Sequence, residues 1–189
     1  MHSALKKCID GKIKLSRDQE DFVNSCFIPK FTRRNEILVS EGEVAKHIYL
    51  VVKGCLRIFI TGNDGRESTR FLVLEGHMGT AFPSFVLKQP SSASIQSLGP
   101  CELLMTSYND LQQLYKNIPG WETMARIGLE LEYIASIQRI ESFITMNAKT
   151  RYDTLLKNNP EIIKKIPAKV IADYLGISQE TLSRIKSKK

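Results

Sequence analysis

Ala168–Lys186 runs AKVIADYLGISQETLSRIK, and its spacing predicts two short helices joined by a tight turn. Ala172 supplies a small residue where the two helices cross. Gly176 supplies the residue that tolerates positive φ in the turn. Ile171, Leu175, Ile177, Leu182 and Ile185 form an apolar wedge between the helices. Ser178 stands where the second helix needs an N-cap. Glu180, in the first turn, suits the positive end of the helix dipole. The pattern has helix-turn-helix spacing. A two-helix hairpin that binds nothing obeys the same packing rules.

Charge separates those alternatives. The chain has 189 residues and a formal net charge of +7. Residues 149–189 hold ten basic and four acidic side chains, whereas the first 148 residues are nearly balanced. A basic excess gathered at one end is the footprint of a nucleic-acid contact. In a helix-turn-helix the start of the second helix enters the major groove. Gln179, Glu180, Ser183 and Arg184 are the polar residues predicted on its exposed face. Arg184 has the fork to chelate a guanine edge, and Glu180 can accept from a cytosine amine or pair with Arg184. Gln179 can read adenine or reach a phosphate. Lys169, Ser178, Thr181, Lys186 and Lys188 are assigned to phosphates, which orient without specifying sequence. The expected partner is double-stranded DNA.

Upstream, the periodicity changes twice. From Trp121 to about Met146 the chain has no proline and only Gly128 as a glycine. This predicts a helix of roughly 40 Å at 1.5 Å per residue. Its apolar residues cover more than one face. Ile127, Leu131, Ile134, Ile137 and Ile144 are assigned to pairing with a second copy. The alternative is a helix covered wholly by its own chain. Before it lie short segments rich in Val, Ile, Leu, Tyr and Phe: 36–39, 47–53, 55–60, 68–74, 93–98 and 102–106. Turn signals such as Asn63-Asp64-Gly65 separate them. They predict an antiparallel sandwich or barrel. Residues 10–27 are expected to be helical, and 159–167 a connector. The fold class is therefore α+β, with an antiparallel β-roll at 1–118, a dimerisation helix at 119–147 and a small DNA-binding unit at 148–189.

A β-roll, a long helix and a helix-turn-helix in that order resemble the cyclic-AMP receptor protein/fumarate-nitrate regulator (Crp/Fnr) superfamily. The resemblance runs from about Phe31 to Lys189. It rests on Tyr49–Arg57 (YLVVKGCLR), the Asp64-Gly65-Arg66-Glu67 hairpin, Gly76–Gly79 (GHMG) and Ser178–Arg184 (SQETLSR). It implies a homodimeric transcription regulator on two-fold symmetric sites, with RNA polymerase as a candidate partner. In the family signature an Arg-Glu pair and a later Arg read bases. Gln179 replaces the first Arg here, while Glu180 and Arg184 match. The family's wing hairpin is expected to be reduced or absent, since 158–167 is short for two strands and Ser187-Lys188-Lys189 follows the second helix.

The family's phosphate-binding cassette departs further. Its Glu holds a ribose hydroxyl and its Arg neutralises the cyclic phosphate. Here Thr80 stands for the Glu and Ser91 for the Arg. Charge-assisted hydrogen bonds contribute about 1.5–3 kcal/mol each. Losing both points away from cyclic AMP and toward a remodelled pocket. The expected lining is Gly79, Thr80, Ala81, Phe82, Phe85, Ser91, Ser92 and Ala93, with Ser136 from the long helix. Its effector is unidentified, and a filled, unresponsive roll is the alternative.

Other classes find little support. Cys8, Cys26, Cys55 and Cys101 are scattered, which suits free thiols in a reducing cytoplasm rather than a cluster. A metal-dependent β-barrel enzyme needs grouped ligands, and His2, His47 and His77 form no such group. No metal, no cofactor and no enzymatic activity are expected. A sensor module acting through protein partners is a further alternative, against which stand the lost cassette charges. No apolar run approaches the roughly 20 residues that span a bilayer, so no membrane partner is expected.

Overall fold

The computed structural model describes residues 2–187. Two short helices come first, α1 (Ser3–Ile9) and α2 (Arg17–Ser25). The roll follows with β1 (Ile28–Thr32), β2 (Ile37–Val39), β3 (His47–Lys53), β4 (Leu56–Thr61), β5 (Glu67–Val73) and β6 (Met78–Gly79). Helix α3 (Phe82–Leu87) precedes β7 (Ser94–Ser97) and β8 (Cys101–Ser107). Helix α4 (Tyr108–Asn117) leads to the long α5 (Trp121–Thr145). The C-terminal unit comprises α6 (Ala148–Asn158), α7 (Ile162–Lys165), α8 (Ala168–Tyr174) and α9 (Gln179–Ser187). No strand occurs among its described residues. Among the described residues, no helix is long and apolar enough to cross a membrane.

The strands form two four-stranded antiparallel sheets, ordered β1-β8-β3-β6 and β2-β7-β4-β5. β3 shows why they stack. Successive side chains of a strand point to opposite faces. Tyr49 and Val51 enter the core between the sheets, against Leu56, Ile58, Val73, Ile95 and Leu103. Leu50 points the other way, into a second cluster with Leu5, Val23, Leu114 and Trp121. Helices α1, α2 and α4 and the start of α5 thus cover the outer face of that sheet. A strand buried on both sides needs a continuous apolar run, and Ile48–Val52 supplies one.

Two expectations fail for local reasons. Residues 10–27 are not one helix. α1 ends at Ile9 with Asp10 as its C-cap, and Gly11 follows with φ of 75°. α2 then starts on a capping box, in which Ser16 accepts from Gln19 N–H and the Gln19 side chain accepts from Ser16 N–H. Strand β1 lies outside the predicted strand segments, and Pro29 falls within it. It sits at a sheet edge and pairs only with β8, where a proline is tolerated. The connector 159–167 also contains the single turn of α7.

Phe85 was assigned to the ligand pocket and belongs to the core instead. It is 2% exposed, in the cluster between the sheets. Its ring lies 5.5 Å from that of Tyr108. Phe85→Ala is therefore expected to cost about 3–5 kcal/mol in denaturant unfolding, the range for deleting a buried aromatic ring. A cost below about 1 kcal/mol would contradict this core assignment.

Candidate nucleic-acid interface and effector pocket

The turn between α8 and α9 is built by two backbone hydrogen bonds. Ile177 N–H donates to Ala172 C=O and Gly176 N–H to Asp173 C=O, each at 3.0 Å. Together they make a Schellman motif, which satisfies the last carbonyls of α8. Gly176 adopts the left-handed conformation that this motif requires, with φ of 65°. A Cβ on it would also lie 2.8 Å from the Phe143 ring of α5. Ala172, Ile171, Leu175 and Leu182 are buried, with Ile177 and Ile185 packed against them.

The second helix begins as expected. Ser178 Oγ accepts from Thr181 N–H at 3.2 Å. A hydrogen bond with Ser178, and then its own backbone N–H, hold the Glu180 carboxyl below the usual carboxylate range. Gln179, Glu180, Ser183 and Arg184 are all exposed, while Leu182 between them is buried. Their i, i+1, i+4, i+5 spacing gathers them on one helical face. Arg184 donates to Thr181 Oγ1 at 3.2 Å, so Thr181 is partly engaged by its own helix. Lys169 is exposed and Lys186 half-buried. Lys188 lies outside the described residues.

Side chains distant in sequence hold this unit in place. Arg151 donates to Leu175 C=O at 3.1 and 3.2 Å and to Met146 C=O at 2.7 Å. Arg139 and Arg151 each lie 5.0 Å from the Phe143 ring. On the roll side, Asp173 accepts from both the N–H and the hydroxyl of Thr69. Arg139 donates to Thr69 C=O at 3.2 Å and to Tyr174 C=O at 2.9 Å. Lys165 pairs with Glu75 at 3.0 Å. Cys55 and Leu98 of the roll join the apolar cluster of the C-terminal unit. Burial there pushes the Cys55 thiol up to about 12. None of these partners was identified from the sequence.

The cassette is closed on itself. Thr80 is buried, and its hydroxyl donates to His47 C=O at 2.8 Å. Ser91 Oγ donates to Ala93 C=O at 2.6 Å and accepts from Ala93 N–H at 3.0 Å. Ser84 Oγ bridges Gln89 C=O and Ala45 N–H. The cavity beside them measures about 60 Å³ and is lined by Ala81, Ser91, Ser92 and Ala93, with Arg70 from β5. At about 10–15 Å³ per water it holds a few solvent molecules. Gly79 packs against Val73 instead, and Phe82 is exposed. Ser136 does not line the cavity. Its hydroxyl donates to Glu132 C=O, one turn back on α5. Arg70 went unnoticed because a bulge aims it: Phe59 pairs with Thr69 and Ile58 with Phe71, leaving Arg70 over. Among the described residues, no group of His, Cys, Asp and Glu is placed to hold a metal ion.

Comparison with known proteins agrees with this architecture. Residues 29–117 match the cyclic nucleotide-binding domain family. The cAMP-activated global transcriptional regulator CRP of Pasteurella multocida is 26% identical over 176 residues, covering 88% of this chain and 84% of that protein. The protein of the same name from Escherichia coli is 24% identical over 185 residues, covering 93% and 88%. Among solved structures, FixK2 from Bradyrhizobium japonicum superposes with a TM-score of 0.74 at 18% identity, over 86% of this chain and 83% of that one. In sequence and in the order of its elements the chain is similar to transcription regulators of the Crp/Fnr type. Its relatives are regulators rather than enzymes.

Gly176→Ala is expected to destabilise the protein by about 1–3 kcal/mol, the range for a non-glycine residue held in a strained backbone conformation. Thermal unfolding of the two proteins side by side would measure it.

Proposed function

We propose that the protein is a homodimeric, sequence-specific DNA-binding transcription regulator whose DNA binding does not depend on cyclic AMP. The observation that carries the proposal is the exposed polar face of α9. Gln179, Glu180, Ser183 and Arg184 are presented together on a helix whose other side is buried. Arg184 and Glu180 are the base readers. Lys169, Ser178, Thr181, Lys186 and Lys188 serve the phosphates. Residues 1–118, 119–147 and 148–189 act as sensor-like roll, pairing helix and DNA-binding unit. A protein of this kind works in the cytoplasm, where bacterial DNA lies, and RNA polymerase is its natural partner there.

The dimer is supported by α5. Ile127, Leu131, Ile134, Ile137 and Ile144 are all exposed in the single chain, Ile144 at 78%. An exposed apolar stripe of this length marks an interaction surface. A second α5 provides the complementary stripe. Substituting Ile134 and Ile137 together by Asp is expected to convert dimer to monomer in analytical ultracentrifugation. A variant that stays dimeric would remove α5 from the interface.

Independence from cyclic AMP is supported by the self-bonded cassette. Thr80 and Ser91 spend their hydroxyls on backbone groups. The cavity is small, and its cation is Arg70. An effector of this cavity would be a small anion rather than a nucleotide.

The decisive experiment is selection of duplexes from a randomised DNA pool without added ligand. The expected product is a two-fold symmetric site with half-sites about one helical turn apart. Arg184→Ala should then relax one position in each half-site, at about 1–3 kcal/mol per contact. Affinity for the selected duplex should be unchanged by cyclic AMP. An equal loss for all sequences would remove Arg184 from base reading.

A further inference from the structure

We propose that Asp173 and Thr69 are positioning residues for the DNA-reading helix. Through them the edge of the β-roll holds the C-terminal unit in its reading orientation. This rests on the DNA-binding function proposed above.

β5 is the outer strand of its sheet. Edge strands leave backbone groups without a strand partner. Thr69 is nevertheless only 3% exposed, so an unmade bond there would be costly. Asp173 of α8 makes it. One carboxylate oxygen accepts from Thr69 N–H at 2.6 Å and also from the Thr69 hydroxyl. These are charge-assisted bonds, stronger than neutral ones. Arg139 closes the joint from α5. It donates to Thr69 C=O and Tyr174 C=O, and its guanidinium stacks 3.7 Å from the Tyr174 ring centroid. Strand β5, the long helix and the first helix of the reading unit therefore meet at one polar point.

Apolar packing covers only part of this joint: Cys55, Leu72, Leu74 and Leu98 of the roll share one cluster with the C-terminal unit. A cavity of about 160 Å³ separates the same elements, lined by Leu72, Leu74 and Met78 of the roll and Leu155, Ile162 and Tyr174 of the C-terminal unit. Across an incompletely packed joint, directional hydrogen bonds set the angle. Asp173 is well placed to transmit it, since its own carbonyl accepts the Gly176 N–H of the turn into α9. The joint also leaves the reading face uncovered, because Gln179, Glu180, Ser183 and Arg184 remain exposed. Docking therefore preorganises the reading helix rather than masking it, and preorganisation raises affinity by reducing what must be ordered on binding.

The test uses the full-length protein and the duplex recovered by selection. Asp173→Ala is expected to weaken binding about tenfold, the equivalent of one charge-assisted hydrogen bond. The slope of affinity against salt should not change, because no phosphate contact is lost. Asp173→Asn keeps an acceptor oxygen while losing the charge, so it should remain within about threefold of the parent protein. Simple removal of an acid near phosphates would act oppositely, tightening every duplex. Thr69→Val, which keeps the fold's volume and loses the hydroxyl, should weaken binding by itself and add less than its full effect on top of Asp173→Ala. This variant carries the test if Asp173→Ala unfolds. Unchanged or tighter binding by Asp173→Ala, or equal losses from Ala and Asn, would overturn the positioning role while DNA binding stands. Failure of the parent protein to select any duplex would overturn both.

Discussion

The close approach of Gly176 to Phe143 fixes where the C-terminal unit meets the long helix. A side chain at Gly176 would collide with the Phe143 ring at 2.8 Å, so the turn of the reading unit rests directly on the long helix. Two guanidiniums secure the approach. Arg139 and Arg151 lie on Phe143 at equal distance, and Arg151 also reaches carbonyls at the C-terminal ends of α5 and α8. Cations at helix C-termini are favoured by the exposed carbonyls and by the dipole. The long helix therefore does not merely link roll and reading unit. Its last turns form part of the surface on which the reading unit sits.

What the sequence made legible was local. β3 spans the predicted 47–53, because a run of apolar β-formers between turns has one economical solution. The C-terminal motif was equally clear, since small residue, positive-φ residue and N-cap each fall where backbone chemistry demands them. Prediction weakened where two local signals competed. Strand β1 carries Pro29 at a sheet edge and gives too short and irregular an apolar pattern to stand out. The apolar residues of 10–27 suggested one helix, although Gly11 and the Ser16–Gln19 capping box divide it. The joint itself was illegible. Thr69 and Asp173 are 104 residues apart, and nothing in either local pattern marks the other.

The cassette shows the same division. The sequence revealed that two charges were missing, but not what replaced their work. Buried hydroxyls seek partners. Thr80, Ser84 and Ser91 found theirs in neighbouring backbone groups, so the loop is held by its own side chains. A ligand entering there would compete with bonds already made. Residue type alone could not place Arg70 at the cavity either, because its direction comes from a one-residue slip in the pairing of β4 with β5.

That slip joins the two halves of the problem. Arg70 lines the cassette cavity, and its neighbour Thr69 holds Asp173 of the reading unit. One bulge thus brings the sensor-like cavity and the proposed positioning joint onto adjacent residues of a single edge strand. A ligand shifts an equilibrium only by its differential affinity for the two states. The bulge is the element that both sites share. In the absence of such a ligand, the hydrogen bonds of Thr69 and Arg139 already hold the reading unit against the roll. The joint is thus made by the chain's own side chains, without a contribution from the cassette cavity.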